Sequence, residues 1–442
     1  MRKGMKRSDG RGTAETVPSP IETTGEVFDN SSTIELIRDA RSGDALPMLW
    51  DGAQETIGSA AEYQRQLYKP ARINSGVLRA LTLPTRCLAH GATREFLGEI
   101  CKLISSFSGL PEKAASLAAR IVLCTSLVDA LRLAPALIFT GPDRGAGDQL
   151  LALLGCLCFH ALPLTGVTPV GFRSLAGGPR HTYVISQPSL SPPLARLLDD
   201  VSSRDAKIPS RGGLLDLFGV QIIHCDSVPC GDSWPLRSIE VSAIPTGTEL
   251  PDLSLEMRHK ITEEFQPKLL GFRRANLGAA RQVKFGPSSL ASEVRDLARS
   301  LAAATPDDAT LQAEVFDLLG EEDAQARDQP WIGLEGASIE SVLVACSESP
   351  GGSRYVSELA EVAQVLLRTR RGEEEFAIDP GAFGKVLKQL GFVTEPRDAR
   401  GKKLNLTEAV RARALRLARD LGVPEAEGGE PVVSGGFSEG KQ

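Results

Sequence analysis

The sequence predicts an α/β protein with a parallel sheet, helical regions before and after it, and a small C-terminal module of helices around a hairpin. Three observations lead there. Short apolar runs rich in β-branched residues (ALIFT at 136–140, TYVIS at 182–186, GVQIIHC at 219–225, RSIEVSAI at 237–244) alternate with helical stretches such as LARLLDDVSS. Residues 251–330 then carry helical periodicity throughout. After the Gly/Pro-rich break SESPGGS at 347–353 a new unit begins with its own pattern of caps and turns.

Length and composition bound the answer. A chain of 442 residues suggests about two or three domains. Hydrophobic residues are 42% and charged residues 24%, which argues against a collagen-like, coiled-coil or wholly disordered chain. Aromatics are only 5%, while Leu and Ala are plentiful, favouring helix-rich packing. Lys plus Arg is 50 against 56 Asp plus Glu, a net charge of −6, so any nucleic-acid surface must be a local patch. No apolar run approaches the ~18–20 residues of a membrane span. The longest, Leu117 to Thr140, is broken by Arg120, Asp129, Arg132 and Pro135. The basic stretch Met1 to Gly12 leads into polar sequence, without a signal-peptide core. Eight Cys are too scattered for a disulfide framework, and a cytoplasmic protein is expected.

Residues 1–32 and 424–442, rich in Gly, Ser, Pro and charge, read as disordered tails. Residues 33–250 read as a helical lead-in followed by the sheet core, and 251–350 as a helical region. In the lead-in, EFLGEICKLISSF is helical and stops at Gly109, and Pro111 opens PEKAASLAARIVLCTSLVDAL. The strand ALIFT runs straight into GPDRGAG and then QLLALLGCLCF: strand, glycine loop, helix.

Such a loop holds phosphates when successive backbone N–H groups and a helix N-terminus surround them, a Lys pairs with the β/γ phosphates and a Ser/Thr hydroxyl holds Mg²⁺. Gly145 and Gly147 fall where a Gly-x-Gly-Lys-Thr ending places its glycines, yet Asp148 and Gln149 follow. A unit charge pair at ~4 Å contributes on the order of 4 kcal/mol at an effective dielectric of ~20, so Asp for Lys turns attraction into comparable repulsion. Gln149 offers no hydroxyl to a metal. The loop is therefore unable to hold Mg·ATP in the usual way, whether it is a vestigial site or a plain glycine turn.

In order and spacing, residues 95–250 resemble the P-loop, AAA-like ATPase domain of the primase–helicase proteins of phages, plasmids and integrated elements. VDALRLAPALIFTGPDRGAGDQLLALL (128–154) matches the family's strand, glycine loop and helix, and PRHTYVISQPS (179–189) its second conserved strand. PLRSIEVSAI (235–244) matches the strand that bears an arginine, here Arg237. Ser186 and Gln187 stand at the family's metal-binding Asp and catalytic Glu. The resemblance implies a P-loop NTPase-like fold with a role in the replication, maintenance or regulation of a mobile element, or in a domesticated host role. The departures at Asp148, Gln149, Ser186 and Gln187 together imply a core without hydrolysis, a pseudo-ATPase. In the family an arginine like Arg237 can act on nucleotide bound by a neighbouring subunit. Here Arg237 either serves a partner ATPase or simply starts an edge strand.

Other groupings are weaker. Cys156, Cys158 and His160 on or after a helix point to different sides, and His224, Cys225 and Cys230 lack a clear fourth ligand, so both sets read as buried thiols and no metal or cofactor is expected. No Ser/His/Asp or Cys/His signature is present among the five His.

The stretch 354–423 is helix, helix, hairpin, helix: Asp379 and Pro380 open GAFGKVLKQL, Gly391 ends it, FVTEPR and KKLNL flank the turn DARG, and Thr407 caps the last helix. That is the order of a winged-helix-like domain. It carries 14 Lys/Arg against 10 Asp/Glu. Lys385 and Lys388 on the helix, with Arg397, Arg400, Lys402 and Lys403 on the hairpin, form a basic set of the kind that lies along a phosphate backbone. The expected partner is DNA, with homo-oligomers or a mixed ring with an active ATPase as further assemblies. The alternatives are an adaptor subunit of such a ring, using the module for protein contacts, and a nucleotide sensor that does not hydrolyse.

Overall fold

The computed structural model describes residues 19–141, 144–175, 180–210, 213–226, 238–242, 250–285, 290, 292–320, 323, 333–371, 377–396 and 401–420. The chain divides into two compact units, 1–319 and 320–442.

The first unit begins in strands, where the sequence suggests a tail to 32 and helix after it. β1 (Ile21–Thr23), β2 (Glu26–Val27), β3 (Thr33–Arg38), β4 (Ala45–Trp50), β5 (Glu55–Ile57), β6 (Ala61–Tyr63) and β7 (Gln66–Pro70) build two sheets, ordered β2-β3-β4-β5 and β1-β7-β6. Ile34 pairs with Leu49 across β3 and β4, and Phe28, Tyr63 and Tyr68 pack over them and Ala61. These strands are hard to see in the sequence for a physical reason. Residues 33–37 of β3 are all buried, so the in/out alternation that marks a half-buried strand is missing.

α1 (Ser75–Ala80), α2 (Thr93–Ser108) and α3 (Glu112–Ser126) follow. Gly109 ends α2 at φ +66°, a left-handed cap that glycine adopts without steric cost. The core sheet then comprises β8 (Ala136–Thr140), β9 (Ala161–Thr165), β10 (Thr182–Ser186), the hairpin β11 (Ile208–Ser210) and β12 (Gly213–Leu215) set aside, β13 (Gln221–Cys225) and β14 (Ser238–Ser242). α4 (Arg144–Leu157), α5 (Pro169–Arg173) and α6 (Pro192–Ser202) lie between the strands. All five core strands are parallel, in the order β14-β8-β13-β10-β9. Numbered along the chain that order is 5-1-4-3-2, with the glycine-bearing segment leaving the first strand: a P-loop NTPase-like α/β core. β9 is not legible in the sequence because Pro163 interrupts it, and the sheet tolerates that proline because β9 is an edge strand.

α7 (Leu255–Ala280), α8 (Ser292–Ala303) and α9 (Ala309–Leu318) complete this unit. α7 packs on α4, and Gln266 donates to the carbonyls of Cys156 (2.8 Å) and Cys158 (2.9 Å). A Cβ at Gly271 would collide with the Leu88 carbonyl, so this helix can approach only with glycine there.

The second unit starts earlier than the sequence suggests. α10 (Leu334–Glu348) shares a core with α11 (Val356–Arg371), α12 (Pro380–Gln389) and α13 (Glu408–Asp420): Ile339, Val342 and Cys346 pack with Leu359, Phe383, Leu387, Leu404 and Ala414. The expected helical region 251–350 is thus split between the two units. β15 (Ser353–Tyr355), which reads as part of a linker, pairs antiparallel with β16 (Lys403–Asn405), and Leu404 also bridges Thr394. Asp379 caps α12 by accepting from the Ala382 N–H (2.8 Å), and Gly391 follows it at φ +76°.

Candidate functional site

The carboxyl ends of β8, β10 and β13 are where a parallel sheet of this kind presents a ligand crevice. The sequence places a loop there through Gly147. In the structure α4 starts at Arg144, so Gly145, Gly147, Asp148 and Gln149 are all helical. Arg144 forks onto Asp226 just beyond β13, Nη2 at 3.0 Å, and that hydrogen bond holds the Asp226 carboxyl below its usual range.

Each substituted position has found a partner within the chain. The Ser186 hydroxyl donates to Asp148 Oδ1 at 2.8 Å. Gln149 Nε2 donates to the Phe107 carbonyl (3.1 Å) and the Pro251 carbonyl (3.0 Å), tying α4 to its neighbours. Gln187 accepts from the Val167 N–H (2.8 Å) and donates to the Ser189 carbonyl (2.9 Å). Asp148 and Ser186 open onto a cavity of about 320 Å³ that Arg258 also lines. The two residues that the resemblance sets at cation and metal positions, Asp148 and Ser186, are engaged with each other, and neither Ser186 nor Gln187 is a carboxylate.

Sequence reasoning misses the part played by His224. Its buried imidazole, at the end of β13, fills the space over Gly147 where a Cβ would sit, and its Nε2 has no hydrogen-bond partner among the described residues. In sequence it groups with Cys225 and Cys230 as a metal set; Cys230 lies outside the described residues. Among the described residues no three His, Cys, Asp or Glu side chains come together as a metal site. Cys156 and Cys158 are buried, and desolvation pushes both thiols up, away from the thiolate form. His160 stacks on Phe159, ring centroids 4.0 Å apart. No helix among the described residues is long and apolar enough to cross a membrane.

In the second unit Lys385, Lys388 and Lys402 are exposed, and none is within ion-pair distance of a carboxylate among the described residues. Lys403 is half-buried, its ammonium 4.7 Å from the centre of the Tyr355 ring. Arg237, Arg397 and Arg400 lie outside the described residues.

No family model matches this chain, and no curated protein does either. Among solved structures, the apo C-terminal region of NrS-1 overlays at 12% identity and a TM-score of 0.35, covering 84% of this chain and 95% of that one. A full-length MCM homolog from Methanopyrus kandleri overlays at 11% identity and a TM-score of 0.34, with 66% and 76% covered. Drosophila ORC bound to DNA gives 14% identity and a TM-score of 0.19, with 72% and 91% covered. The class of the core rests on its strand order and not on these loose overlays.

Proposed function

We propose that this chain binds DNA through its second unit, acting as a winged-helix module, and that its P-loop-like core is a platform that does not hydrolyse ATP. The observation that carries the first half is the topology of the second unit. Helix, strand and two helices precede β16 and α13, and β16 joins both β15 and Thr394, which is the element order of a winged-helix module. Lys385 and Lys388 on α12 and Lys402 at the wing base are exposed and, among the described residues, unpaired, which suits them to phosphate oxygens. The second half is supported by the internal partners of Asp148, Gln149, Ser186 and Gln187: an acid stands where a P-loop lysine would, and neither position 186 nor position 187 holds a carboxylate. In this reading the chain serves the replication, maintenance or regulation of a genetic element, alone or in an oligomer.

The test is fluorescence anisotropy of a labelled duplex at several salt concentrations. Replacing Lys385, Lys388 and Lys402 together by Ala should lower the log–log salt slope by about 0.9 for each phosphate that is no longer neutralised. An unchanged slope, or no binding by the intact chain at low salt, overturns the DNA reading and leaves the adaptor role. ATP turnover above that of a Gly147→Asp variant overturns the silent core.

A further inference from the structure

We propose that a second cavity, on the opposite edge of the core sheet, binds a phosphate-bearing ligand of nucleotide size. It measures about 750 Å³, within the usual range for small-molecule sites. Its lining comes from residues just ahead of the strands: Asp129 before β8, His160 before β9, Arg180 before β10 and Asp216 before β13. It therefore sits at the amino ends, away from the glycine-bearing helix.

The charges sort into satisfied and unsatisfied groups. Buried Arg273 donates to Glu35 (2.6 Å), Asp129 (2.6 Å) and the Ser126 carbonyl (2.7 Å), and Arg180 also pairs with Asp129. Lys207 takes Asp216 at 2.8 Å. Arg204 and Arg281 remain, with no carboxylate in ion-pair distance among the described residues. Arg204 is held rigidly: it donates to the Leu131 and Val128 carbonyls, both at 2.7 Å, and lies 5.1 Å from the centre of the Phe218 ring. Burial lowers its pKa, Arg180 and Arg281 lower it further while Asp129 and Asp216 raise it, and all three arginines line this cavity. An anion between them would relieve that repulsion and accept from preformed donor forks.

Two more features narrow the ligand. His160 lines the same cavity, is 5% exposed, sits at φ +50°, and its Nε2 has no partner among the described residues. A non-glycine residue held in the left-handed region at a polar cavity is a local strain that a binding role would explain. Glu22 and Glu26 lie on the remaining wall and suit hydroxyl or amino donors. Anion at one end and donors at the other describe a hydroxylated phosphomonoester such as a nucleotide. Arg281 also lines an adjoining cavity of about 400 Å³ with Arg132 and Lys284, so the same phosphate could be the end of a nucleic-acid strand.

Calorimetry on the full chain carrying Lys385→Ala, Lys388→Ala and Lys402→Ala separates this site from the proposed wing. The probes are AMP and a short oligo-dT with a 5′-phosphate. Arg281 is exposed, so Arg281→Glu should fold normally, which thermal melting checks. The expected result is AMP binding weakened about tenfold or more by Arg281→Glu, and weakened also by Arg204→Lys, which keeps charge and loses the fork. If AMP is silent and oligo-dT binding falls in the same variants, the phosphate belongs to a strand. Silence of both probes at about 10 mM AMP, or affinities equal in Arg281→Glu, overturns the proposal.

Discussion

The imidazole of His224 occupies the space over Gly147 that a side chain would need. In a phosphate-binding loop the glycine leaves room for a ligand, and here that room is taken by a neighbouring strand's own residue. Gly147→Ala should therefore destabilise the chain by about 1–3 kcal/mol through overpacking. In a His224→Ala background the clash is gone and the gain in helix propensity remains, so the same change should be neutral or stabilising by up to ~1 kcal/mol. Urea unfolding of the four proteins gives the coupling energy, and simple additivity would refute the packing account.

Restoring the missing residue types should not restore turnover. Asp148→Lys with Gln149→Thr removes the Ser186 partner and the two hydrogen bonds from Gln149 to backbone carbonyls, while α4 still begins at Arg144 and Gln187 is still no carboxylate. A phosphate-release assay should stay at background, with a lower melting temperature as the only effect.

Arg273 holds two carboxylates at once, buried Glu35 and half-buried Asp129. Arg273→Met should cost about 3–5 kcal/mol, because Glu35 loses its cation in a buried site and Asp129 is left with Arg180 alone. Glu35→Gln should cost clearly less, since burial already raises the Glu35 pKa and weakens its hold on charge. Equal losses from the two variants in urea unfolding would count against this ordering.

How much of this is legible in the sequence follows from what each residue reports. ALIFT, TYVIS and the strand ending at Cys225 announce a parallel sheet because strands buried on both faces read as apolar runs, and Asp379, Gly109 and Gly391 announce helix ends through their own chemistry. The four substituted site positions are legible as losses. Their new partners are not, because Ser186 meets Asp148 only through the sheet's strand order, and His224 reaches Gly147 the same way. Arg204 and Arg281 lie 77 positions apart and become neighbours only at the sheet's amino edge.

Acid should destabilise the first unit over two pH windows. Burial drops the pKa of His160 from 6.5 to about 3 and that of His181 from 6.5 to about 4. Both folded values are depressed, so the stability they confer is present above pH 6.5 and is lost as the pH falls towards 4 and 3. Each contributes ~1.4 kcal/mol of loss per pH unit in that window. Burial would raise Asp129, but Arg273 and Arg180 outweigh it and hold it at about 2, down from 3.8, so its contribution disappears between roughly pH 4 and 2. Glu35, raised by burial, works in the opposite sense and offsets part of this. Among the described residues His181 has no partner at either nitrogen, so His181→Phe should roughly halve the slope of stability between pH 6.5 and 5, read from urea midpoints.

Arg413 looks in sequence like one more cation of a basic module, yet its position gives it another task. Its Nε donates to the Leu390 carbonyl at 2.8 Å, and its guanidinium covers Gly391, closing the C-terminal end of α12. A cation there satisfies an orphan carbonyl and complements the helix dipole. Arg413→Ala should lower the stability of the second unit by about 1 kcal/mol and leave the salt slope of duplex binding unchanged. The Lys385, Lys388 and Lys402 replacements should do the reverse, flattening the slope at unchanged stability. A slope that falls in Arg413→Ala as steeply as in the lysine variants would make Arg413 a phosphate ligand and move the DNA-facing surface onto α13.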